Sequence, residues 1–397
     1  MIFETIARMI RAHQPADVIT VFEALRDAGQ AEAVGGMAYL NDLSQSVPGA
    51  ANVHRYAAIV SDKALSRALA GAAEKIATLA SEATGADEAL DAAQTLLAGL
   101  KRTKARGEPR RLGDLMPARI DHWQALAAGD ATPGIPTGLP TLDKALGGGI
   151  KPGKVIVLAA RPSVGKTSLA QHIGMHVAAA GHSVLMLSQE MAAAELADRA
   201  MASQGGVPLD RLTTGGLADE DWAAVAAAGE NFAALPFYVD DQPALTLLDI
   251  RAKAREVKRR AGLVLLIVDY LQLCSSAGGA FEKRHHQIEQ ISRGMKALAK
   301  EAGVCVLLLS QLKRDAGDEP ELDHLKESGA IEEDADTVVL LHPMGEAPAG
   351  RLLVLAKVAK NRGGSRGRLA LAFDGKTQRW ASSRSSVARR IGRGGGA

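Results

Sequence analysis

The chain has 397 residues, 47 Lys and Arg against 45 Asp and Glu, a formal net charge of +2, and 47% hydrophobic but only 3% aromatic residues. At roughly 150 residues per domain there is room for two or three domains with their own cores, which excludes a disordered or fibrous chain. Near-neutral charge argues against coating nucleic acid by bulk attraction, the scarcity of aromatics against a base-stacking platform, and the lack of any apolar run near ~18 residues against a membrane span.

The opening MIFETIARMIRAHQ has amphipathic spacing and carries Glu4 where a secretory signal would be uninterruptedly apolar, so a cytoplasmic protein is expected. Residues 1–100 are Ala-rich, periodic at three to four, and punctuated at Gly29, Gly35, Gly36, Pro48, Gly49 and Gly85, the pattern of a small all-α domain. Two long stretches, Val53–Ser81 and Ala86–Leu100, have the lengths of an antiparallel helical hairpin. Residues 101–133 read as a connector: a basic run, KRTKARGEPRR, followed by an amphipathic helix over Leu112–Ala128.

From Gly134 the character changes. Short runs at Val155–Ala159, Val184–Ser188, Val264–Val268, Val304–Leu309, Thr337–Leu341, Leu352–Leu355 and Leu369–Phe373 alternate with helical stretches, which predicts an α/β domain over 134–381 with a mainly parallel sheet. Cys274 follows one of these strands and Cys305 sits in another, so buried thiols are expected, not a disulfide or a zinc site. The tail, 382–397, is rich in Ser, Arg and Gly and is expected to be disordered.

The segment VIVLAARPSVGKTSLAQHI passes from a strand through a tight loop into a helix and matches Gly-x-x-x-x-Gly-Lys-Ser/Thr, with Ala160 in place of the first glycine. The loop would comprise Ala160, Arg161, Pro162, Ser163, Val164, Gly165, Lys166, Thr167 and Ser168. Gly165 lets backbone N–H groups approach phosphate oxygens, Lys166 places a point charge on the β- and γ-phosphates, and Thr167 offers a hydroxyl to Mg²⁺. The helix that starts there adds its positive end. The plainer reading is a Gly-rich turn.

The strand LVLLIVDYLQL ends in Asp269, the position of a magnesium-organising carboxylate at the carboxyl edge of a sheet, or of a helix N-cap. Tyr270 follows where many ATPases keep a glutamate, so the general base must come from elsewhere. Glu190, in Ser188-Gln189-Glu190-Met191 after the next strand, has the right edge to orient and deprotonate a water; otherwise it is a solvated Glu opening a helix. Gln311, after Ser310, can hydrogen-bond a γ-phosphate and report its loss, or is a surface amide.

A base on the strand after the phosphate loop is the RecA-like arrangement. The ordered set ARPSVGKTS, LSQEM, VDYLQL, LSQLKR, LKESGAIEEDAD and AKNRGGSRG resembles the DnaB-type replicative DNA helicases, hexameric RecA-fold motors that move 5′ to 3′. The resemblance runs from about Gly134 to Trp380. Upstream, AVGGMAYLNDLSQSVPGAANVHRYAAIV is similar to the family's N-terminal domain and Leu112–Ala128 to its linker helix. It implies that Lys166 and Thr167 bind ATP and Mg²⁺, that Glu190 is the catalytic carboxylate, that Asp269 organises the metal, and that Gln311 senses the γ-phosphate. Lys360 and Arg362 match the family's Lys-x-Arg, which reaches the neighbouring subunit's ATP in a homo-hexamer. Lys326, Glu327 and Gly329 match a channel loop that contacts the backbone of single-stranded DNA, with Lys326 where Arg is common. Primase and a helicase loader are the partners the family docks on its N-terminal collar.

Two departures accompany the match: the chain starts partway into the family's N-terminal domain, and the loop Ala316–His324 is shorter than usual. Within the same fold, a RecA- or RadA-like recombination ATPase is the alternative; from another class comes a non-enzymatic nucleotide-binding scaffold that regulates a helicase. The net charge, too, averages over segregated charge. Between Asp315 and Asp336 there are ten acids and one base, Lys326, whereas from Ala349 onward Asp374 is the sole acid among twelve bases. A motor that grips and releases a strand needs a few repeated phosphate contacts, not a basic coat.

Overall fold

Amphipathic spacing at the amino end becomes three short helices, α1 (Ile2–Arg11), α2 (Val18–Asp27) and α3 (Gly36–Ser46). Asp17 starts α2 with a capping box: its carboxylate accepts from the Ile19 and Thr20 amides at 2.9 Å each, and Thr20 Oγ1 accepts from the Asp17 amide at 3.0 Å. Met9, Val21, Leu25 and Leu40 meet in a small core. The structure is a computed structural model that describes residues 1–12, 14–46, 53–82, 89, 92–93, 96–97, 111–269, 281–313, 319–325 and 329–385.

Helix α4 (Val53–Glu82) runs for 30 residues. Of the second predicted hairpin helix, residues 89, 92–93 and 96–97 are helical, and Ala92 and Leu96 line one groove with Lys75, Thr78 and Leu79 of α4. The rest of that stretch, the basic run at 101–110, Cys274 and the tail from 386 fall outside the described residues. Helix α5 (Leu112–Ala128) contains Pro117 and buries no residue. The chain divides into two units, Met1–Leu115 and Met116–Ala397.

The second unit is built on nine strands: β1 (Val155–Ala160), β2 (Val184–Ser188), β3 (Phe237–Asp240), β4 (Leu265–Asp269), β5 (Cys305–Gln311), β6 (Thr337–Ala347), β7 (Arg351–Asn361), β8 (Gly367–Asp374) and β9 (Arg379–Ser382). Their order is β3-β2-β4-β5-β1-β6-β7-β8-β9. Pairings from β3 to β6 are parallel, and those from β6 to β9 antiparallel. Strands β1, β2 and β4 are buried on both faces, which is why they read as continuous aliphatic runs, whereas the edge strand β3 is only partly buried. Alternation still sorts them: Ile156 and Leu158 pack with one core, Val155 and Val157 with the other.

The helices of this unit are α6 (Pro140–Ala145), α7 (Lys166–Ala179), α8 (Ala193–Gly205), α9 (Leu209–Thr214), α10 (Asp219–Ala234), α11 (Leu247–Ala261), α12 (Phe281–Ala302) and α13 (Gly329–Asp334). Leu169 and Ile173 of α7 enter the first core; Ile250 of α11 and Met295 of α12 enter the second.

The strand ends differ from those expected in three ways. β3 and β9 are four residues each, too short to show a period. β6 and β7 run on past their aliphatic cores as a hairpin, pairing His342 with Leu355 and Ala347 with Arg351, where polar side chains hide the strand from a hydrophobic pattern. β4 and β5 start one residue late and reach Asp269 and Gln311. Cys305 is buried in β5 as expected, and burial pushes its thiol up to about 12.

On α7, burial, with the charge of His176 adding to it, pushes His172 down to about 4. The unfolded chain therefore binds this proton more tightly than the folded one. Stability is full above about pH 6.5, falls as pH drops from there, and the loss is complete below about 4. Between pH 7 and pH 5, His172→Gln should remove about 2 kcal/mol of the wild-type pH dependence in denaturant titrations. Equal pH slopes in the two proteins would refute this.

Candidate nucleotide site

β1 delivers the chain to the phosphate loop at Ala160, which is 1% exposed and pairs with Gln311 on one side and Leu341 on the other. Ala160 is thus an ordinary core strand residue, and the position needs no glycine. The turn comes after it: Ser163 (φ 66°) and Gly165 (φ 92°) are both left-handed, a conformation that costs a non-glycine residue about 1–2 kcal/mol. Pro162 and Ser163 are exposed, Arg161 is half-buried, and Val164 is anchored in the core.

Gly165 is the N-cap of α7, and it makes no side-chain cap, so the first amides of the helix are left to an incoming acceptor. A Cβ there would lie 2.9 Å from Trp380 Cζ2 and 3.2 Å from Phe373 Cε1. These two rings stack with centroids 4.5 Å apart and form the floor under the loop. Trp380 Nε1 donates to Ser168 Oγ at 3.2 Å, and Ser168 donates to the Gln378 carbonyl at 3.3 Å. Motif spacing misses this floor, whose only advance signal is a Trp in a chain that has three.

Behind the loop, Asp269 is wholly buried at the carboxyl end of β4. Thr167 Oγ1 donates to Asp269 Oδ2 at 2.6 Å, and Lys166 Nζ lies 3.3 Å from Oδ1, which makes no hydrogen bond among the described residues. A hydroxyl and a carboxylate side by side are hard oxygen donors. Mg²⁺ is ordinarily held by one or two such groups together with substrate phosphates, so the donor set fits.

Glu190 is presented by a local turn. The Ser188 hydroxyl donates to the Met191 carbonyl at 2.7 Å and accepts from the Met191 amide at 3.2 Å, which curls residues 188–191. The Gln189 amide donates to the Asp269 carbonyl at 2.7 Å, and Gln189 Oε1 accepts from the Leu245 amide at 3.0 Å. Glu190 stands exposed at the tip, one strand over from Asp269. Gln311 ends β5, between β4 and β1 in the sheet. The structure therefore brings Lys166, Thr167, Asp269, Glu190 and Gln311 to one edge.

Lys360 and Arg362 lie at the other. Asn361 pairs with Thr337, which pairs with Ile156 near the start of β1, so the end of β7 sits at the amino edge of the parallel strands. The Lys360 ammonium donates to the carbonyls of Glu332 and Glu333, and Arg362 Nη2 to that of Glu333 at 2.8 Å; both close the carboxyl end of α13. Burial, with the Arg362 charge adding to it, lowers the Lys360 ammonium against the opposing pull of Glu332, Asp336 and Asp334. Nearby, Asp336 is bound by Lys296, Lys154 and the Val155 amide. Burial alone would raise its carboxyl, but those partners hold it below the usual range. Gly329 is exposed at the start of α13; Lys326 and Glu327 fall outside the described residues.

Residues 134–382 match the family model for the DnaB-like helicase C terminal domain, and residues 1–62 that for the DnaB-like helicase N terminal domain. The chain is 37% identical over 396 residues to the replicative DNA helicase DnaB of Leifsonia xyli subsp. xyli, covering 96% of this chain and 85% of the relative. It is 35% identical over 382 residues to that of Geobacillus stearothermophilus, covering 94% and 84%. Among solved structures, an isolated ATPase domain superposes with a TM-score of 0.62 at 29% identity, covering 68% of this chain and 99% of that one. A DnaB-like replicative helicase, solved for its interactions with primase, gives 0.64 at 25% identity, covering 96% and 90%.

Proposed function

Because the chain belongs to the DnaB-like helicase family, it is an ATP-hydrolysing replicative DNA helicase, and we propose that it works as a homo-hexameric ring moving 5′ to 3′ on single-stranded DNA. The observation that carries the site assignment is the cluster of Lys166, Thr167 and Asp269 behind the strained loop, with Glu190 on the adjacent strand end.

In this reading the amides at the start of α7 and the Lys166 ammonium bind the β- and γ-phosphates of ATP. Thr167 and Asp269 hold Mg²⁺, which supplies positive charge for the phosphates. Glu190 orients the attacking water and takes its proton, and Gln311 hydrogen-bonds the γ-phosphate. Lys360 and Arg362, at the edge far from their own chain's loop, act on the next subunit's ATP. Residues 134–381 form the ATPase domain, 1–100 the helical domain offered to primase and a loader, 101–133 the linker, and 382–397 a basic tail. The match of 1–62 to the N-terminal family model supports the second of these. No helix among the described residues is long and apolar enough to cross a membrane.

The test is unwinding of a fork with a 5′ single-stranded tail in the presence of ATP. Strand exchange without unwinding would indicate a recombinase, and the absence of DNA-stimulated hydrolysis a scaffold. Lys326→Ala should weaken single-strand binding regardless of base sequence, because phosphate contacts carry no sequence information. The slope of log affinity against log salt should become shallower by about 0.7 for each phosphate that is no longer neutralised. An unchanged slope would remove Lys326 from the channel surface.

A further inference from the structure

The motif around Arg362 assigns roles to Lys360 and Arg362 and none to the residue between them. The Asn361 side chain is the most fully engaged group in the turn. Its amide has two donor hydrogens and two acceptor lone pairs, and all four are used. Nδ2 donates to the Ala145 carbonyl at 2.8 Å and to the Ser365 carbonyl at 3.2 Å. Oδ1 accepts from the Gly363 amide at 3.0 Å and from the Thr337 hydroxyl at 3.2 Å. One side chain thus ties the end of β7 to β6, to the carboxyl end of α6, and to both later corners of the turn that carries Arg362.

Two further features surround this hub. Between Val338 and Val339 the β6–β7 register skips Ala359, a bulge that re-aims the last residues of β7. A Cβ on Gly364 would lie 2.4 Å from the Ala145 carbonyl oxygen and 2.7 Å from Asn361 Nδ2, so glycine there keeps the shortest of the four bonds open. The Arg362 amide is itself fixed, donating to the Asp336 carbonyl at 2.8 Å. The long Arg362 side chain is exposed, and Nη2 donates to the Glu333 carbonyl at 2.8 Å, which leaves its other N–H donors for a partner.

We infer that Asn361 is a positioning residue for hydrolysis: its four hydrogen bonds set the backbone from which Arg362 reaches the neighbouring subunit's ATP. This rests on the trans-acting reading of Arg362. A guanidinium that must meet a phosphoryl group across a subunit boundary has to start from a fixed Cα, because a displacement of about 1 Å at the reacting group can cost roughly 100-fold in rate.

Asn361→Ala should lower kcat for ATP by about 10- to 100-fold and leave KM within about threefold, since the chain's own nucleotide loop is untouched. Mixing decides the mechanism. Hexamers assembled from Asn361→Ala and Lys166→Ala chains should hydrolyse ATP faster than the sum of the two separate proteins. The intact loop of the first chain can then be served by the intact turn of the second. A merely structural loss within one chain would not be complemented. Gly364→Ala, whose Cβ would press on the Ala145 carbonyl and on Asn361 Nδ2 while the Asn361 side chain is kept, should give the same kcat loss and the same complementation, and carries the test if Asn361→Ala does not assemble. If Arg362→Ala is complemented by Lys166→Ala but neither Asn361→Ala nor Gly364→Ala is, or if these two turn over at the wild-type rate, the positioning role is wrong and the trans reading stands. If Arg362→Ala is itself not complemented, the trans reading has failed.

Discussion

Glu190→Gln is expected to reduce ATP turnover by about 10²- to 10⁴-fold, the usual worth of a positioned general base, while nucleotide binding stays near wild type. The amide keeps the size of the side chain and its place at the tip of the Ser188–Met191 turn, but has no basic lone pair for the water's proton. Because Glu190 is exposed, its loss should change folding stability by no more than about 0.5 kcal/mol. Lys166→Ala differs on both counts. It removes the charge that meets the phosphates, so nucleotide binding and hydrolysis should both fall. It also strips Asp269, 0% exposed, of a cationic partner that is itself only 10% exposed. Breaking a buried pair on one side costs about 3–5 kcal/mol, so the melting temperature should drop as well. Phosphate release, binding of a fluorescent nucleotide and thermal melts separate the two variants. Full turnover by Glu190→Gln would move the base to another residue, and an unshifted melt for Lys166→Ala would mean that Asp269 is compensated by something other than Lys166.

The parts of this site that are legible in the sequence share one property: each sits where a buried parallel strand stops. An aliphatic run that ends in Asp269, Ser188 or Gln311 announces both the strand and its carboxyl edge, and a sheet of parallel strands puts those edges together. Ala160 reads as a defect in a glycine motif and is a core residue of β1, because the left-handed turn begins at Ser163. What stays hidden depends on antiparallel pairing or on distant packing. The aromatic floor formed by Phe373 and Trp380 comes from β8 and β9, more than 200 residues downstream of Gly165. Opposite charges segregated along the chain are brought together in the fold. Glu319 pairs with Arg368 and Lys357, Glu321 also with Lys357, and Asp336 with Lys154 and Lys296. The acidic run thus docks on bases of β7 and β8, so the one base within it, Lys326, does not have to offset those acids alone.

Arg362→Ala should abolish hydrolysis in the assembled protein, by about 10³- to 10⁵-fold if the guanidinium stabilises transition-state charge as trans-acting arginines do, while nucleotide binding and hexamer formation persist. Position is the first reason. Arg362 lies at the amino edge of the sheet and its own phosphate loop at the carboxyl edge, so the two can meet only between chains. Its resting contacts are the second. Arg362 Nη2 and Lys360 Nζ both bond carbonyls at the end of α13, the helix that begins at Gly329. A guanidinium has five N–H donors, so the bond to the Glu333 carbonyl leaves others for a phosphate. A shift of α13 would therefore move the carbonyls that hold Lys360 and Arg362. Arg362→Lys keeps the charge but not the forked donors, and should recover only part of the turnover. Single-turnover phosphate release with and without a single strand checks both statements. Wild-type turnover by Arg362→Ala would end the trans assignment, and loss of hexamers would recast Arg362 as an assembly contact.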